Sequence, residues 1–392
     1  MALPALRETV AALEEGLVEF RRDLHAHPEI ARDESRTTAR VAARLTAAGV
    51  RLRPLTGSGL IADIGPADPA YRVALRADLD ALPLTERTGL SFASQSEGVC
   101  HACGHDVHVA AVLGAGLALH EHADSLEAQR LGVRLIFQPA EEVTPGGALG
   151  VIEQGGVQGV DAILSIHCDP TLDVGLVGLR DGPLTSATDS VTVTLLGRGG
   201  HTSRPHLTQD LIYALGKVVT DVPAALARRV DPRAGVALVW GTVHSGSAEN
   251  VIPSAGSVKG TLRMLDAQLW ADIGPLLEEV VQAVIRPYGV SATVEHVRGA
   301  PPVVNAPELV ARMRGAAVLM LGSQAPTSTS QSLGGEDFAW YLQRVPGAMA
   351  RLGTRTPGGT THELHQGDLV VDERSVAMGA GLLAAAAVAH RP

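Results

Sequence analysis

The sequence predicts an α/β protein: a layered domain on a central, largely parallel sheet, carrying an inserted ferredoxin-like unit of order β-α-β-β-α-β. Three observations predict it. Up to about Pro183, short β-like runs alternate with helical stretches. From about Thr185 the strands acquire one polar face and their order changes to β-α-β-β-α-β. The composition, 45% hydrophobic and 19% charged over 392 residues, is that of a packed globular chain, long enough for about two domains at ~100–200 residues each.

Taken in chain order, 72–77 places Val73, Leu75 and Ala77 on one side of a strand, and 106–120 is apolar and long enough for a buried helix. The runs 133–137 and 162–166 are short, apolar and bounded by Gly, Pro or Asp, as strands are. In the second pattern, Val191, Val193 and Leu195 alternate with Thr192 and Thr194. A helix from about His206 carries Leu211, Leu215, Val218, Val219 and Val222, and strands follow over 236–243 and 257–264. The next helix holds Ile273, Leu276, Leu277, Val280, Val281 and Val284, before a last strand over 292–297. Pro301, Pro302 and Pro307 mark a return linker, and an Ala-rich helix over 376–390 is expected to rejoin the first domain. The expected boundaries are 1–184 with 299–392 for a discontinuous first domain, and 185–298 for the insert. With 4 Phe, 4 Tyr and 3 Trp, the cores must rest on Ala, Val and Leu.

The net charge of −10, from 32 basic and 42 acidic residues, excludes a general nucleic-acid binder, whose affinity comes from neutralising phosphates. Three cysteines, Cys100, Cys103 and Cys168, make no disulfide framework and point to a reducing compartment. The first twenty residues are interrupted by Glu8, Glu14, Glu15 and Glu19, unlike a signal peptide. The longest apolar stretches, 107–119 and 382–389, fall short of the ~18–20 residues that span a bilayer. The expectation is a soluble cytoplasmic protein with neither nucleic acid nor membrane as partner.

The segment Cys100-His101-Ala102-Cys103-Gly104-His105-Asp106-Val107-His108 concentrates thiol, imidazole and carboxylate, the lone-pair donors of a metal site. Its competing reading is a CxxC redox pair of Cys100 and Cys103. Glu141 and Glu142 emerge together just past the strand ending at Phe137, and His167 ends the apolar run 162–166. Each alone is ordinary. Together, metal-type donors at three strand ends or helix starts favour a metal centre, because the carboxyl ends of parallel strands are where α/β folds place their chemistry.

These segments belong to a larger set: Arg21-Arg22-Asp23-Leu24-His25 with Pro28-Glu29, Arg76-Ala77-Asp78-Leu79-Asp80-Ala81-Leu82-Pro83, His101-Ala102-Cys103-Gly104-His105-Asp106, Gln138-Pro139-Ala140-Glu141-Glu142, Gly199-Gly200-His201, Asn250-Val251-Ile252-Pro253, Gly334-Gly335-Glu336-Asp337-Phe338 and Leu364-His365. In these motifs and their order the sequence resembles the amidohydrolase branch of the M20 metallopeptidase family, which includes hippurate hydrolases, auxin-conjugate hydrolases and N-acyl-amino-acid deacylases. The resemblance implies a zinc-exopeptidase-like catalytic domain with two divalent metal ions per subunit (zinc, manganese, cobalt or nickel), and an insert that acts as lid and dimerisation domain. It implies that Cys103 bridges the ions, that His105, Glu142, His167 and His365 complete the ligand set, and that Glu141 is the general base and acid. It further implies that His201 assists from a neighbouring subunit, that Asn250 and Arg263 bind substrate, and that the protein is a homodimer or dimer-based oligomer hydrolysing a small N-acyl amino acid. The family usually carries proline two residues after its last histidine, where this chain has His365-Gln366-Gly367. The stretch His362-Glu363-Leu364-His365 is one residue short of the HExxH of a zincin helix. Two alternatives stand beside this reading. A CxxC thiol oxidoreductase would leave Glu141, Glu142, His167 and His365 without a role, and a non-catalytic ligand-binding relative would be expected to lack a ligand or the base.

Overall fold

The computed structural model describes residues 3–389. The expected end of the last helix at His390 lies outside them. The chain forms two compact units: one comprises the residues up to Gly182 together with Val304–Ser330 and the chain from Asp337, the other Pro183–Val303 with Gln331–Glu336.

The first unit is built on an eight-stranded sheet in the order Arg51–Pro54, Leu60–Ile64, Leu131–Gln138, Tyr71–Asp78, Ala162–Asp173, Gly347–Arg355, Val177–Leu179, Pro326–Ser328. The four central strands, Leu131–Gln138 to Gly347–Arg355, are mutually parallel, as the alternation of strands and helices predicts. The sheet as a whole is mixed, since Arg51–Pro54, Leu60–Ile64 and Val177–Leu179 each make antiparallel pairings. The central strands are buried along nearly their whole length, which is why they read as continuous apolar runs. Asp78 pairs with Gln138 at the ends of their strands, so the sequences that follow both leave the sheet at its carboxyl edge, while Ala162–Asp173 runs on beside Gly347–Arg355 and carries His167 within it.

Helix His105–Glu121 is buried on every side through Leu119, and it packs against Leu3–Ala26 and Arg374–Val388. Leu3–Ala26 was not anticipated, because its many glutamates obscure an apolar stripe. Leu6, Val10, Leu17, Phe20 and Leu24 are all buried at helical spacing. The Pro28-Glu29 motif has a mechanical role: Glu29 caps helix Ser35–Ala47 by accepting from the amides of Arg36 and Thr37 at 2.9 and 2.7 Å, and its carbonyl accepts from Ala81.

The second unit is a four-stranded antiparallel sheet in the order Ala237–Ser245, Ala255–Met264, Ala187–Leu196, Ser291–Val297, with helices Leu211–Leu226 and Ala267–Ile285. This is the β-α-β-β-α-β succession read from the sequence. Val191, Val193 and Leu195 are buried while the threonines between them are not. A two-residue ribbon pairs His201 with Val251 and Gly200 with Ile252. Among the described residues, no helix is long and apolar enough to cross a membrane.

Candidate metal centre

Three chain segments converge at the carboxyl edge of the first unit's sheet, and a fourth joins them from near the C-terminus. Gly104 initiates the His105–Glu121 helix in a left-handed conformation, φ +84°, and a Cβ there would lie 2.7 Å from the Cys168 sulfur. Only glycine fits. The sharp turn brings Cys103 and His105, one on each side of it, to the same centre.

Cys103 Sγ lies 3.5 Å from His167 Nε2. His105 Nε2 lies 3.8 Å from Glu142 Oε1 and 4.0 Å from Glu141 Oε2, and His365 Nε2 is 3.3 Å from Glu142 Oε1. Donor atoms of Cys103, His105 and His167 fall within 4.8 Å of one another, and so do those of Cys103, Glu142 and His365. Two triads thus share one sulfur. All six of Cys103, His105, Glu141, Glu142, His167 and His365 are brought together.

The donors are also chemically prepared. His105 Nδ1 donates to the Asp80 carbonyl and His167 Nδ1 to the Cys168 carbonyl, both at 2.8 Å. A ring that donates from Nδ1 presents an Nε2 lone pair, and this anchoring is typical of metal-ligating histidines. One atom facing the centre, His105 Nε2, is buried without any hydrogen-bond partner, and Glu142 Oε1, buried beside it, has only the His365 ring at 3.3 Å and no well-aligned hydrogen bond. Such orphans are rare unless something else binds there, and a divalent cation fits this mixed S, N and O set.

Electrostatics agree. Burial, helped by Arg351, keeps the His167 pKa well below its usual value, so the ring is a neutral donor. Burial also pushes the Cys103 thiol up. It acts on His105 in the neutralising direction, but Asp78 and the Cys103 sulfur outweigh it and hold that ring's pKa well above normal. Thiolate and neutral imidazole therefore coexist here when a cation supplies the positive charge that protons otherwise provide.

In a further grouping of donors, Asp78, His105 and His108, the lone pairs of Asp78 and His108 are already in use. Asp78 accepts from Arg76 and from His108 Nδ1, each at 2.6 Å, and His108 Nε2 accepts from the Cys168 amide at 2.9 Å. Asp106 is similarly engaged, by Arg21 at 2.6 Å and His25 at 2.8 Å. The Arg21–His25 motif thus braces the ligand-bearing helix from behind. Sequence reasoning assigned no role to Asp80, although a third carboxylate past a central strand end was a signal of one.

The departure after His365 has a structural counterpart. His365 sits at φ +60° and its amide donates to the Ala102 carbonyl at 2.8 Å. Gly367 accepts from the Arg87 amide, and a Cβ at 367 would meet the Thr85 carbonyl. Glycine lets the two loops touch where a ring would hold them apart.

His201, Asn250 and Arg263 lie in the second unit. His201 and Asn250 are exposed on the ribbon and its adjoining loop. His201 Nδ1 accepts from the Ser203 amide at 3.1 Å, which places the ring hydrogen on the outward Nε2. Arg263 is fixed through Nη1 to Thr188 Oγ1, at 3.0 Å, and to the Leu333 carbonyl, leaving its Nε–Nη2 edge as a planar pair of donors.

Comparison with known proteins agrees with this architecture: peptidase family M20/M25/M40 matches residues 74–389. The chain belongs to this family. Among its relatives, the N-acetyl-L-cysteine deacetylase of Bacillus subtilis is 36% identical over 371 residues, covering 94% of this chain and 86% of that protein. A Rhodococcus jostii protein named "Putative glutamate--cysteine ligase 2-3" is 47% identical over 375 residues, 95% of this chain, which spans 46% of that protein's length. Of solved structures, Bacillus subtilis YXEP, described as a dinuclear metal-binding peptidase from the M20 family, superimposes with a TM-score of 0.84 at 31% identity, covering 96% of this chain and 98% of that one. The M20 family is one of hydrolases.

Proposed function

We propose that this M20 protein is a metal-dependent amidohydrolase that cleaves the amide bond of N-acyl amino acids. The observation that carries the reading is the pair of donor triads sharing Cys103, with Glu141 beside them. Cys103, whose sulfur is common to both triads, would hold the ions together with His105, His167, Glu142 and His365. When bound there, two divalent ions polarise the scissile carbonyl and acidify the attacking water.

Glu141 takes the proton of that water and delivers it to the departing amine, the step that makes an amine an acceptable leaving group. His201 donates from its outward Nε2 to the oxyanion of the tetrahedral intermediate, supplied by a second copy of the chain in a homodimer. The Nε–Nη2 edge of Arg263 matches a carboxylate in a planar two-point contact that lysine does not reproduce, and Asn250 adds a polar contact to the substrate. A cytoplasmic location suits a site that depends on a reduced cysteine.

Two similar Bacillus subtilis proteins are named as N-acetylcysteine deacetylases, so N-acetylcysteine heads the substrates to be tested, ahead of N-acyl amino acids varied separately in each half. The thiol-oxidoreductase alternative is disfavoured because Cys100 is buried and its pKa is pushed up to about 11 by burial, with Glu86 and Asp106 adding to it, the opposite of a reactive thiol. The test is amide hydrolysis by protein of measured metal content. Activity should vanish with chelator and return with zinc, manganese, cobalt or nickel. Hydrolysis that survives complete metal removal sinks the proposal.

A further inference from the structure

Glu141 and Glu142 are adjacent in sequence, yet both carboxylates face His105 Nε2, at 4.0 and 3.8 Å. In extended chain leaving a strand, neighbouring side chains point to opposite sides. Something must turn this segment and hold it turned. Ala140 has φ +58°, a conformation an alanine does not adopt without support.

The support is visible in three consecutive amides. Ala140 N donates to Glu34 Oε1 at 2.7 Å, Glu141 N to Asp80 Oδ1 at 3.0 Å, and Glu142 N to Asp80 Oδ2 at 2.9 Å. Both acceptors are buried side chains, and amides bonded to a carboxylate form the stronger, charge-assisted class of hydrogen bond. They reach the segment from separate places: Asp80 lies two residues past strand Tyr71–Asp78, and Glu34 immediately precedes helix Ser35–Ala47. The Asp80 main chain also accepts from His105 Nδ1. One residue is thereby bonded to the base and to two of the ligands proposed above.

We infer that Asp80 is a positioning residue of the metal centre: its carboxylate, assisted by Glu34, holds the 140–142 backbone turned so that two neighbouring glutamates reach one point in different roles. The inference rests on the metal reading of the site and adds to it what sets the geometry. An asparagine at 80 has the same shape but only one acceptor, and its NH2 would face an amide N–H. One of the two glutamate amides would then always be unpaired.

The probe is cobalt(II), added to metal-free full-length protein and followed by its visible absorption. Wild type should take up two ions per chain. Asp80→Asn should bind cobalt on the order of 10- to 100-fold more weakly, the usual consequence of losing a residue that orients a ligand, with an altered spectrum and a lowered kcat. The control is Asp63→Asn, which breaks the Arg134 ion pair at 2.8 Å in the same sheet. It should lower the melting temperature and leave cobalt affinity and spectrum unchanged, which a merely structural effect at Asp80 would also do. If Asp80→Asn fails to fold, Glu34→Ala removes the acceptor of the Ala140 amide, along with that of the Arg32 amide and the Ser58 hydroxyl, leaves both Asp80 bonds in place and carries the same readout. A folded variant with wild-type cobalt affinity, spectrum and kcat overturns the positioning role while leaving the metal reading intact. Wild-type protein that binds no cobalt overturns the metal reading, and the positioning role with it.

Discussion

His105 and His167 are buried, and each ring is fixed by a bond from Nδ1 to a main-chain carbonyl, that of Asp80 just past a central strand and that of Cys168 within one. The side chain of His365 is 53% exposed, it stands at positive φ, and what fixes it is loop against loop: its amide on Ala102, and Gly367 on Arg87. The same imidazole chemistry is thus supported in two ways within one centre. Helix and strand supports preorganise a ligand, whereas loops with exposed backbone are drawn from the less stable end of a structure. The Cys103–His105–His167 triad should behave as a rigid socket, and the Cys103–Glu142–His365 triad as a clasp that closes on it.

The largest effect should come from Glu141, the proposed base. Glu141→Gln should cut kcat on the order of 10²- to 10⁴-fold while keeping both metals, whereas Glu142→Gln should lower the metal content of the clasp. Metal per chain beside kcat for the two variants decides it, and equal metal loss would remove the distinction between the neighbours.

Next in size, chelator should strip the holoenzyme in two phases, with the clasp ion leaving first. His365→Ala should abolish the fast phase and leave one ion per chain, and His167→Ala should damage the slow phase. A single phase in wild type would mean that the two supports hold equally well.

Gly367→Pro asks whether the loop contact sets the clasp. The added ring meets the Thr85 carbonyl, so the fast-leaving ion should be held about 10-fold more weakly, with the slow phase untouched. The smallest effect is expected behind the helix. Arg22 pairs with Glu373 through Nε and Nη2 on a part-exposed face, and Arg22→Ala should cost about 0–1 kcal/mol of stability with no change in either phase. A metal-release change there would show that the bracing motif reaches the ligands.

The sequence was most legible where periodicity and chemistry coincided. The central strands could be read because burial on both faces makes them apolar throughout, and the second unit because its threonines alternate with valines. The short edge strands were not legible, since Arg51–Pro54 is mostly exposed and carries no pattern. The family motifs named Cys103, His105, Glu141, Glu142, His167 and His365, and the fold assembles all six. The supports behind them were hidden for a physical reason: Asp80 and Glu34 act through hydrogen bonds to main-chain amides, which leave no trace in the identity of the residues they hold.

The bond from the His365 amide to the Ala102 carbonyl has a consequence in time as well as in space. It joins two parts of the chain separated by most of the protein's length, and at ~5–20 residues per second of synthesis the second part follows the first by on the order of ten to fifty seconds. Closing so long a loop adds little free energy, since the cost grows only with the logarithm of its length. The delay cannot be shortened. The residues of the socket all leave the ribosome well before residue 365 is made, so the centre stays incomplete until then, and a chain cut short before residue 365 carries a half-built site with Cys103 already in it.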